Sequence, residues 1–231
     1  GGVEQCGIPH EFGSTGFGVV ESTRVAAKII GLDMKGARVA IHGFGNVGTF
    51  TYQFLSDMGA QVVAIADVNG AILEEKGFDR KKVDMLIEKR KSIMEYPGGK
   101  KITQEKFWKT PVDILIPASV TDVIHEKNMN DIEAKIIVEA ANIPMREEVE
   151  EKLEKKGIVI IPDFIANAGG VISSYAEYRG YNPKRMFAIV QKKIEESTRE
   201  VLKRSAKKNK SARVVGMEIA KERIERALKK K

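Results

Sequence analysis

The sequence predicts a doubly wound α/β domain with a mostly parallel sheet, followed by a helical C-terminal tail. Short apolar runs alternate with helix-compatible segments through the first two thirds of the chain, and the connections between these runs are too long for hairpins. From Asn167 onward the pattern is helical to the last residue. We therefore expect an α/β domain over residues 1–182 and a helical segment over residues 183–231.

The first predicted elements are a helix, a strand and a second helix. Apolar residues spaced for one helical face predict a helix over Gly18–Ile30, which Gly31 ends. The short apolar run Ala37–His42 predicts a strand. After a glycine-rich turn, Thr49–Met58 is predicted as a helix that ends at Gly59.

Four further apolar runs predict the rest of the sheet. Gln61–Ala66 consists almost wholly of β-branched residues and alanine, which suits a strand buried on both faces. The other three runs are Val112–Pro117, Lys135–Ala140 and Gly157–Pro162. An amphipathic pattern between the first and second of these four runs predicts a helix over Asp79–Lys91.

The tail is predicted as three helices, over Gly170–Tyr178, Pro183–Lys207 and Ala212–Lys230. The tail also accounts for the net charge of +7, since residues 184–231 hold 17 Lys and Arg against six Glu. A basic tail can bind nucleic acid. Here, however, the charges alternate with apolar residues at helical spacing, and no aromatic residue follows Phe187. We favour a solvated helix face and expect no nucleic-acid partner.

Composition excludes several classes of protein. A chain of 231 residues with 42% apolar residues can bury a core and is too apolar to be disordered. No apolar run approaches the ~20 residues of a membrane helix, so no membrane partner is expected. The single cysteine, Cys6, excludes a disulfide framework and a cysteine-rich zinc site. With no secretion signal at its start, the chain is expected to be cytoplasmic, without a metal site.

The glycine-rich turn between the first predicted strand and its helix fits the pattern G-x-G-x-x-G, as Gly43-Phe44-Gly45-Asn46-Val47-Gly48. In this pattern Gly43 allows a tight exit from the strand, and Gly45 has no Cβ to block a pyrophosphate. Gly48 lets the helix pack closely on the strand. The helix N-terminus then offers unpaired N–H groups to the phosphates. The pattern predicts a Rossmann-like dinucleotide site, although a tight turn without a ligand is the alternative interpretation.

The acid expected of such a site follows the second strand. Asp67 lies 24 residues after Gly43 and could accept hydrogen bonds from an adenosine ribose. A carboxylate repels a 2′-phosphate, and no basic residue stands among Val68, Asn69 and Gly70. NAD is therefore the expected cofactor, with NADP as the alternative. Asp67 could also be an ordinary turn residue, since Asp-Val-Asn-Gly is typical of turns.

Four sequence elements resemble the glutamate, leucine, phenylalanine and valine dehydrogenase family, and the glutamate members most of all. They are Ser14-Thr15-Gly16-Phe17-Gly18-Val19, the glycine turn, Glu139-Ala140-Ala141-Asn142, and the segment from Pro162 through Asn167-Ala168-Gly169-Gly170-Val171 to Ser174, Tyr175 and Glu177. The elements occur in the family's order and spacing. At Pro9–Gly13, between Cys6 and the first element, the chain departs from the family, which has an Arg there.

The resemblance implies roles for particular residues. Thr15 would contact the nicotinamide carboxamide, with Asn142 and Asn167 near the nicotinamide and its ribose. Thr15 and Asn167 could instead be helix caps. Further implied contacts are Ala118 and Ser119 along the cofactor and Val171 and Ser174 at the substrate, where Ser174 would bind the glutamate side-chain carboxylate.

The resemblance also implies an activity, namely the reversible oxidative deamination of L-glutamate to 2-oxoglutarate and ammonia. Family members hold their catalytic residues in an upstream substrate-binding domain, so no catalytic residue is expected in this chain. We expect the chain alone to bind dinucleotide without turnover. The parent is expected to be a homo-hexamer, and this piece a monomer or weak oligomer.

Two alternative functions stay open at this point. A leucine-dehydrogenase-like enzyme is one, because Asn-Ala-Gly-Gly-Val occurs there and Gly180-Tyr181-Asn182 resembles its tail. The other is a nucleotide-binding module that carries no chemistry of its own.

Overall fold

The computed structural model describes residues 13–229, and its centre is one seven-stranded sheet. In chain order the strands are β1 (Arg38–His42), β2 (Gln61–Asp67), β3 (Gly70–Leu73), β4 (Lys100–Ile102), β5 (Ile114–Pro117), β6 (Ile136–Val138) and β7 (Val159–Ile161). Their order across the sheet is β4-β3-β2-β1-β5-β6-β7. Strands β1, β2, β5, β6 and β7 run parallel, whereas β3 and β4 extend one edge by antiparallel pairing. The predicted mostly parallel α/β fold is confirmed.

Helices cover both faces of this sheet and form the C-terminal part. They are α1 (Ser14–Ile29), α2 (Asn46–Asp57), α3 (Arg80–Glu88), α4 (Gln104–Trp108), α5 (Glu147–Lys155), α6 (Asp163–Ala166), α7 (Gly169–Tyr178), α8 (Pro183–Lys208) and α9 (Ala212–Leu228). Single 3₁₀ turns lie at Ile93–Glu95 and Met129–Asp131. None of the helices between residues 13 and 229 is both long and apolar enough to cross a membrane.

Each strand contributes to two cores because successive side chains point to opposite faces of a sheet. On β1, Val39 and Ile41 pack with α1 and α2, and Ala40 packs with α4 and α5 on the other face. All three side chains are buried. The alternation fixes the side of the sheet on which each residue at the end of β1 lies.

Helix α1 begins at Ser14, four residues before the predicted start at Gly18. The glycines of this segment lie inside the helix, where they permit close packing. A Cβ at Gly16 would lie 2.8 Å from Phe50 Cβ, and one at Gly18 would lie 3.2 Å from Ala166 O. The sequence pattern counted these glycines as part of a loop, but they are the contact points of α1 with α2 and α6.

The tail helix α8 packs along α1. Phe17 and Phe187 meet edge to face with centroids 5.0 Å apart, and Arg24 of α1 pairs with Glu195 of α8. Asn182 caps α8 by accepting a hydrogen bond from Arg185 N at 2.9 Å. The proposed domain boundary after residue 182 stays a prediction. Cys6 and His10, in the segment that departs from the family pattern, lie outside the described residues.

Candidate functional site

The order of the strands creates a crevice at the carboxyl end of β1. The chain passes from β1 to β2 on one side and later returns to β5 on the other side. In open α/β sheets, ligands bind at such a topological switch point. The glycine turn and the N-terminus of α2 lie at this position.

Two glycines of the turn are required by the protein itself. Gly43 has φ +109°, and a Cβ there would lie 2.6 Å from the carbonyl of Ala118. A Cβ at Gly48 would lie 2.0 Å from Gly43 O. Both positions exclude any side chain because strand, turn and helix meet there.

Gly45 differs from the other two glycines, because no heavy atom of the described residues beyond its chain neighbours lies within 4 Å of a Cβ built there. Its φ of −84° and ψ of −159° are extended backbone that other residues adopt. Within residues 13–229, no side chain caps the N-terminus of α2, and its first turn holds no acidic residue. Within the described residues, neither space nor backbone conformation demands glycine at this position, and the amides at the start of α2 stay open.

The other residues of the turn divide between packing and exposure. Phe44 and Val47 are partly buried against the core, and Phe44 meets Tyr52 edge to face at 6.0 Å. Asn46 is exposed as the first residue of α2. Because their side chains pack against the core, Phe44 and Val47 are suited to contact a ligand through their backbone atoms.

Asp67 ends β2 at a tight turn into β3. Its Oδ1 accepts a hydrogen bond from Asn69 N at 2.8 Å, and its Oδ2 accepts from Ser92 Oγ at 2.6 Å and Ile93 N at 2.9 Å. The turn expected from Asp-Val-Asn-Gly is thus present, and the three hydrogen bonds hold the Asp67 carboxylate in place. Because a carboxylate has about four acceptor sites, these three bonds leave one for a ligand. The next side chain, Val68, is 99% exposed, so an apolar surface stands free beside the carboxylate.

Ser119 lies beside the glycine turn and is hydrogen-bonded to His42. A Cβ at Gly43 would lie 2.7 Å from Ser119 N, and Ala118 N donates to His42 O at 2.7 Å. The Ser119 hydroxyl and His42 Nδ1 are 2.8 Å apart. Burial lowers the pKa of His42 below its ordinary value. The motif analysis assigned no role to His42, and only the structure brings its ring to Ser119.

The two predicted nicotinamide asparagines are in direct contact. Asn167 Nδ2 donates to Asn142 Oδ1 at 2.8 Å. Asn167 is the C-cap of α6, and the N-cap of α7 is Ala168, so the alternative that Asn167 is a helix N-cap is wrong. Thr15 lies inside α1, whose N-cap is Gly13, so its capping alternative is wrong too.

Thr15 instead faces the start of α7. A Cβ at Gly170 would lie 2.7 Å from Thr15 Oγ1. Val171 directly follows Gly170, and Ser174 lies one turn further along α7. Both side chains are exposed, and Ser174 Oγ donates to Gly170 O at 3.2 Å. The predicted substrate residues thus share an open face of α7 next to the predicted nicotinamide residue.

A buried ionic cluster connects the helical tail to the loop that carries Asn142. Within the described residues, Arg213 of α9 contacts three carboxylates, those of Glu139 (2.7 Å), Glu150 (2.7 Å) and Asp163 (3.2 Å). Asp163 in turn accepts from Ile143 N at 2.9 Å, which anchors the residue after Asn142. Sequence reasoning missed this cluster because Arg213 is one of many bases in the tail and lies far along the chain from its partners.

Glu139 is the least accessible member of this cluster, with no exposed surface. Burial and the neighbouring Glu150 raise the pKa of Glu139 well above its ordinary value, against the opposing effect of Arg213. Arg213 keeps its charge, since its pKa is raised further by these carboxylates although burial opposes the charged form. The cluster therefore holds α9 against the loop that carries Asn142.

The sheet order, the glycine turn and the open α2 N-terminus together define a Rossmann-like domain with the NAD- and NADP-binding fold. A family model described as Glutamate/Leucine/Phenylalanine/Valine dehydrogenase matches residues 6–231. The chain belongs to this family of amino acid dehydrogenases.

Individual relatives agree with this family. The chain is 44% identical over 176 residues to the NADP-specific glutamate dehydrogenase of Saccharolobus shibatae, covering 76% of this chain and 41% of the relative. It is 39% identical over 184 residues to the NAD-specific glutamate dehydrogenase of Clostridioides difficile, covering 74% and 44%. The crystal structure of glutamate dehydrogenase from Peptoniphilus asaccharolyticus is 30% identical, with a TM-score of 0.80 over 99% of this chain and 55% of that one. The chain spans about half the length of these proteins.

Proposed function

We propose that this chain is the coenzyme-binding domain of an NAD-dependent glutamate dehydrogenase. The observation that supports this most directly is Gly45, whose missing Cβ leaves free space over the uncapped N-terminus of α2. A pyrophosphate fits that space because it is anionic and accepts hydrogen bonds from backbone N–H groups. The whole protein would interconvert L-glutamate with 2-oxoglutarate and ammonia.

The residues around the turn would hold the rest of the dinucleotide. Asp67 offers its remaining acceptor site to the adenosine ribose, beside the exposed surface of Val68. Toward the nicotinamide end, the candidate contacts are Ala118, Ser119, Asn142, Asn167 and Thr15. When bound, the dinucleotide supplies the carbon that takes the hydride, whereas the protein supplies orientation and electrostatics.

The substrate would lie on the open face of α7. Val171 and Ser174 are exposed there, and a serine hydroxyl suits the side-chain carboxylate of glutamate. We propose that a second domain closes over this face with the catalytic groups, since a closed cleft excludes water and aligns the reacting carbons. Alone, the chain would bind dinucleotide without turnover as a monomer or weak oligomer, and the whole protein would form a homo-hexamer.

NADH is expected to bind the chain at least ~10-fold more tightly than NADPH. The reason is that a 2′-phosphate would meet the Asp67 carboxylate, which is fixed by three hydrogen bonds and cannot turn away. The measurement is a titration of the chain with each coenzyme, followed by nicotinamide fluorescence. An Asp67→Ser variant should reduce the difference in affinity between NADH and NADPH.

The coenzyme comparison has two separate outcomes. Tighter binding of NADPH would contradict the role given to Asp67 but leave dinucleotide binding intact. Absence of binding by either coenzyme would overturn the proposed function. Circular dichroism of Asp67→Ser is the control, because Asp67 also holds the segment around Ser92.

A further inference from the structure

We propose that His42 is a positioning residue that holds the Ser119 hydroxyl in one orientation, so that the serine oxygen accepts a hydrogen bond from the bound dinucleotide. The inference rests on the proposed function, because it requires a dinucleotide at the carboxyl edge of β1 and β5. It assigns a role to the residue that precedes the glycine turn.

The His42 ring is held in place by aromatic neighbours. His42 is the last residue of β1, and its ring lies on the face of the sheet that α4 covers. It stacks on Trp108 with centroids 4.6 Å apart and planes 23° from parallel, and it meets Phe107 edge to face at 5.2 Å. Both α4 aromatics are buried, so they fix the plane of the His42 ring.

Gln104 decides which ring nitrogen carries the proton. Its Oε1 lies 3.0 Å from His42 Nε2. An amide carbonyl can only accept a hydrogen bond, so Nε2 is the protonated nitrogen of the neutral ring. Nδ1 then holds a lone pair, and burial supports this neutral state by lowering the pKa of His42.

The neutral His42 ring in turn determines the direction in which the Ser119 hydroxyl donates its proton. Nδ1 lies 2.8 Å from Ser119 Oγ, so the serine hydroxyl donates to His42. A free serine hydroxyl rotates and can present either its proton or its lone pairs. Here only the lone pairs face away from His42. A ligand group that meets Ser119 must therefore be a donor, such as a ribose hydroxyl or an amino group of the dinucleotide.

Ser119 stands where such a contact would be made. Its backbone nitrogen lies against Gly43, and it follows β5, the strand across the switch point from β2. Residues at the carboxyl ends of the strands flanking a switch point line the ligand crevice. Both ring nitrogens of His42 are engaged by protein side chains, those of Ser119 and Gln104, so His42 acts on the ligand through the serine.

The test uses Trp108, the one tryptophan of the chain, as a reporter. NADH binding is followed by quenching of Trp108 emission and by nicotinamide fluorescence. His42→Phe keeps a flat ring against Trp108 and removes both hydrogen bonds. We expect it to weaken NADH binding roughly three- to tenfold, the range for one misdirected hydrogen bond.

A double-mutant cycle shows whether His42 acts through Ser119. Ser119→Ala should weaken NADH binding to a similar extent, and adding His42→Phe to it should cause no further loss. His42→Asn should recover most of the affinity, because the Asn carbonyl oxygen falls near the place of Nδ1. His42→Gln should not, because its longer side chain carries the amide past Ser119. The Asn and Gln pair also provides the test if His42→Phe fails to fold.

The outcomes separate this inference from the proposed function. If the unmodified chain does not bind NADH, the proposed function fails and this inference with it. If the unmodified chain binds NADH, the inference is overturned by either of two results. One is that His42→Phe binds NADH as tightly as the unmodified chain. The other is that the double variant loses NADH affinity by the product of the two single-variant factors.

Discussion

A Gly45→Thr variant is expected to bind NADH about a hundredfold more weakly, or not at all, with its thermal stability unchanged. The threonine side chain would enter the space above the turn that the described residues leave open. Its hydroxyl would also cap the N-terminus of α2 and compete for the amides that a phosphate needs. Loss of two charge-assisted hydrogen bonds of about 1.5 kcal/mol each corresponds to about a hundredfold weaker binding, and a loss of about 3 kcal/mol each would abolish it. Calorimetry with NADH and thermal unfolding measure the two effects separately.

Two control variants separate a loss of NADH binding from a loss of structure. Gly48→Ala places a Cβ 2.0 Å from Gly43 O and should lower the unfolding temperature strongly. Ser211→Thr changes the N-cap of α9, which lies outside the site, and should alter neither binding nor stability. Unchanged NADH affinity of Gly45→Thr would mean that no dinucleotide binds at this turn.

An Arg213→Met variant is expected to lose about 3–5 kcal/mol of unfolding free energy. Methionine keeps most of the length of the side chain but leaves Glu150 and Asp163 buried without a counter-charge. For a chain of this size the loss corresponds to a Tm about 10 °C lower. Differential scanning calorimetry gives the Tm. NADH affinity should fall as well, because the cluster anchors the loop that carries Asn142.

Arg223 offers a matched control on the same helix. It pairs with Glu200 at 2.8 Å, but its side chain is 58% exposed, so solvent screens the pair. Arg223→Met should therefore change the unfolding free energy by less than ~1 kcal/mol. Equal Tm values for the two variants would contradict the importance assigned to the buried cluster.

Glu139→Gln tests the same cluster through pH. The native pKa of Glu139 is raised by burial, so the folded chain binds more protons than the unfolded chain at a pH above the ordinary glutamate pKa. The resulting stability is complete below that ordinary pKa and is lost as the pH rises. Glutamine resembles the protonated acid and should flatten this decline between pH 5 and 9. Equal slopes for Glu139→Gln and the unmodified chain over this range would show that Glu139 is charged in the native state.

The sequence predicted the parallel centre of the sheet better than its edge. The β-branched run of β2 and the glycine turn are recognisable from their residue composition. Strand β4 does not, because two of its three residues are lysines, which are common on exposed edges. Strand β3 was missed because its opening Gly70 belongs to a turn signal. Strand β3 depends on pairing with β2, and β4 depends on pairing with β3, and local patterns encode neither pairing.

The candidate site was predictable where its residues form motifs along the chain. Gly45 could be predicted from spacing alone, and the structure adds that no contact with another described residue requires glycine there. His42 and Arg213 could not be found this way. Their partners lie 77 and 74 positions away in sequence, and only the fold brings them together.

The spacing of the ionic cluster also bears on how this chain is made. Glu139 is synthesised 74 residues before Arg213, an interval of roughly 4–15 s at ordinary translation rates. During that time the nascent sheet can assemble, but Glu150 and Asp163 have no cation to accompany them into the interior. The contact of Arg213 with Asp163, which supports the loop that carries Asn142, therefore forms only well after the loop itself has been synthesised.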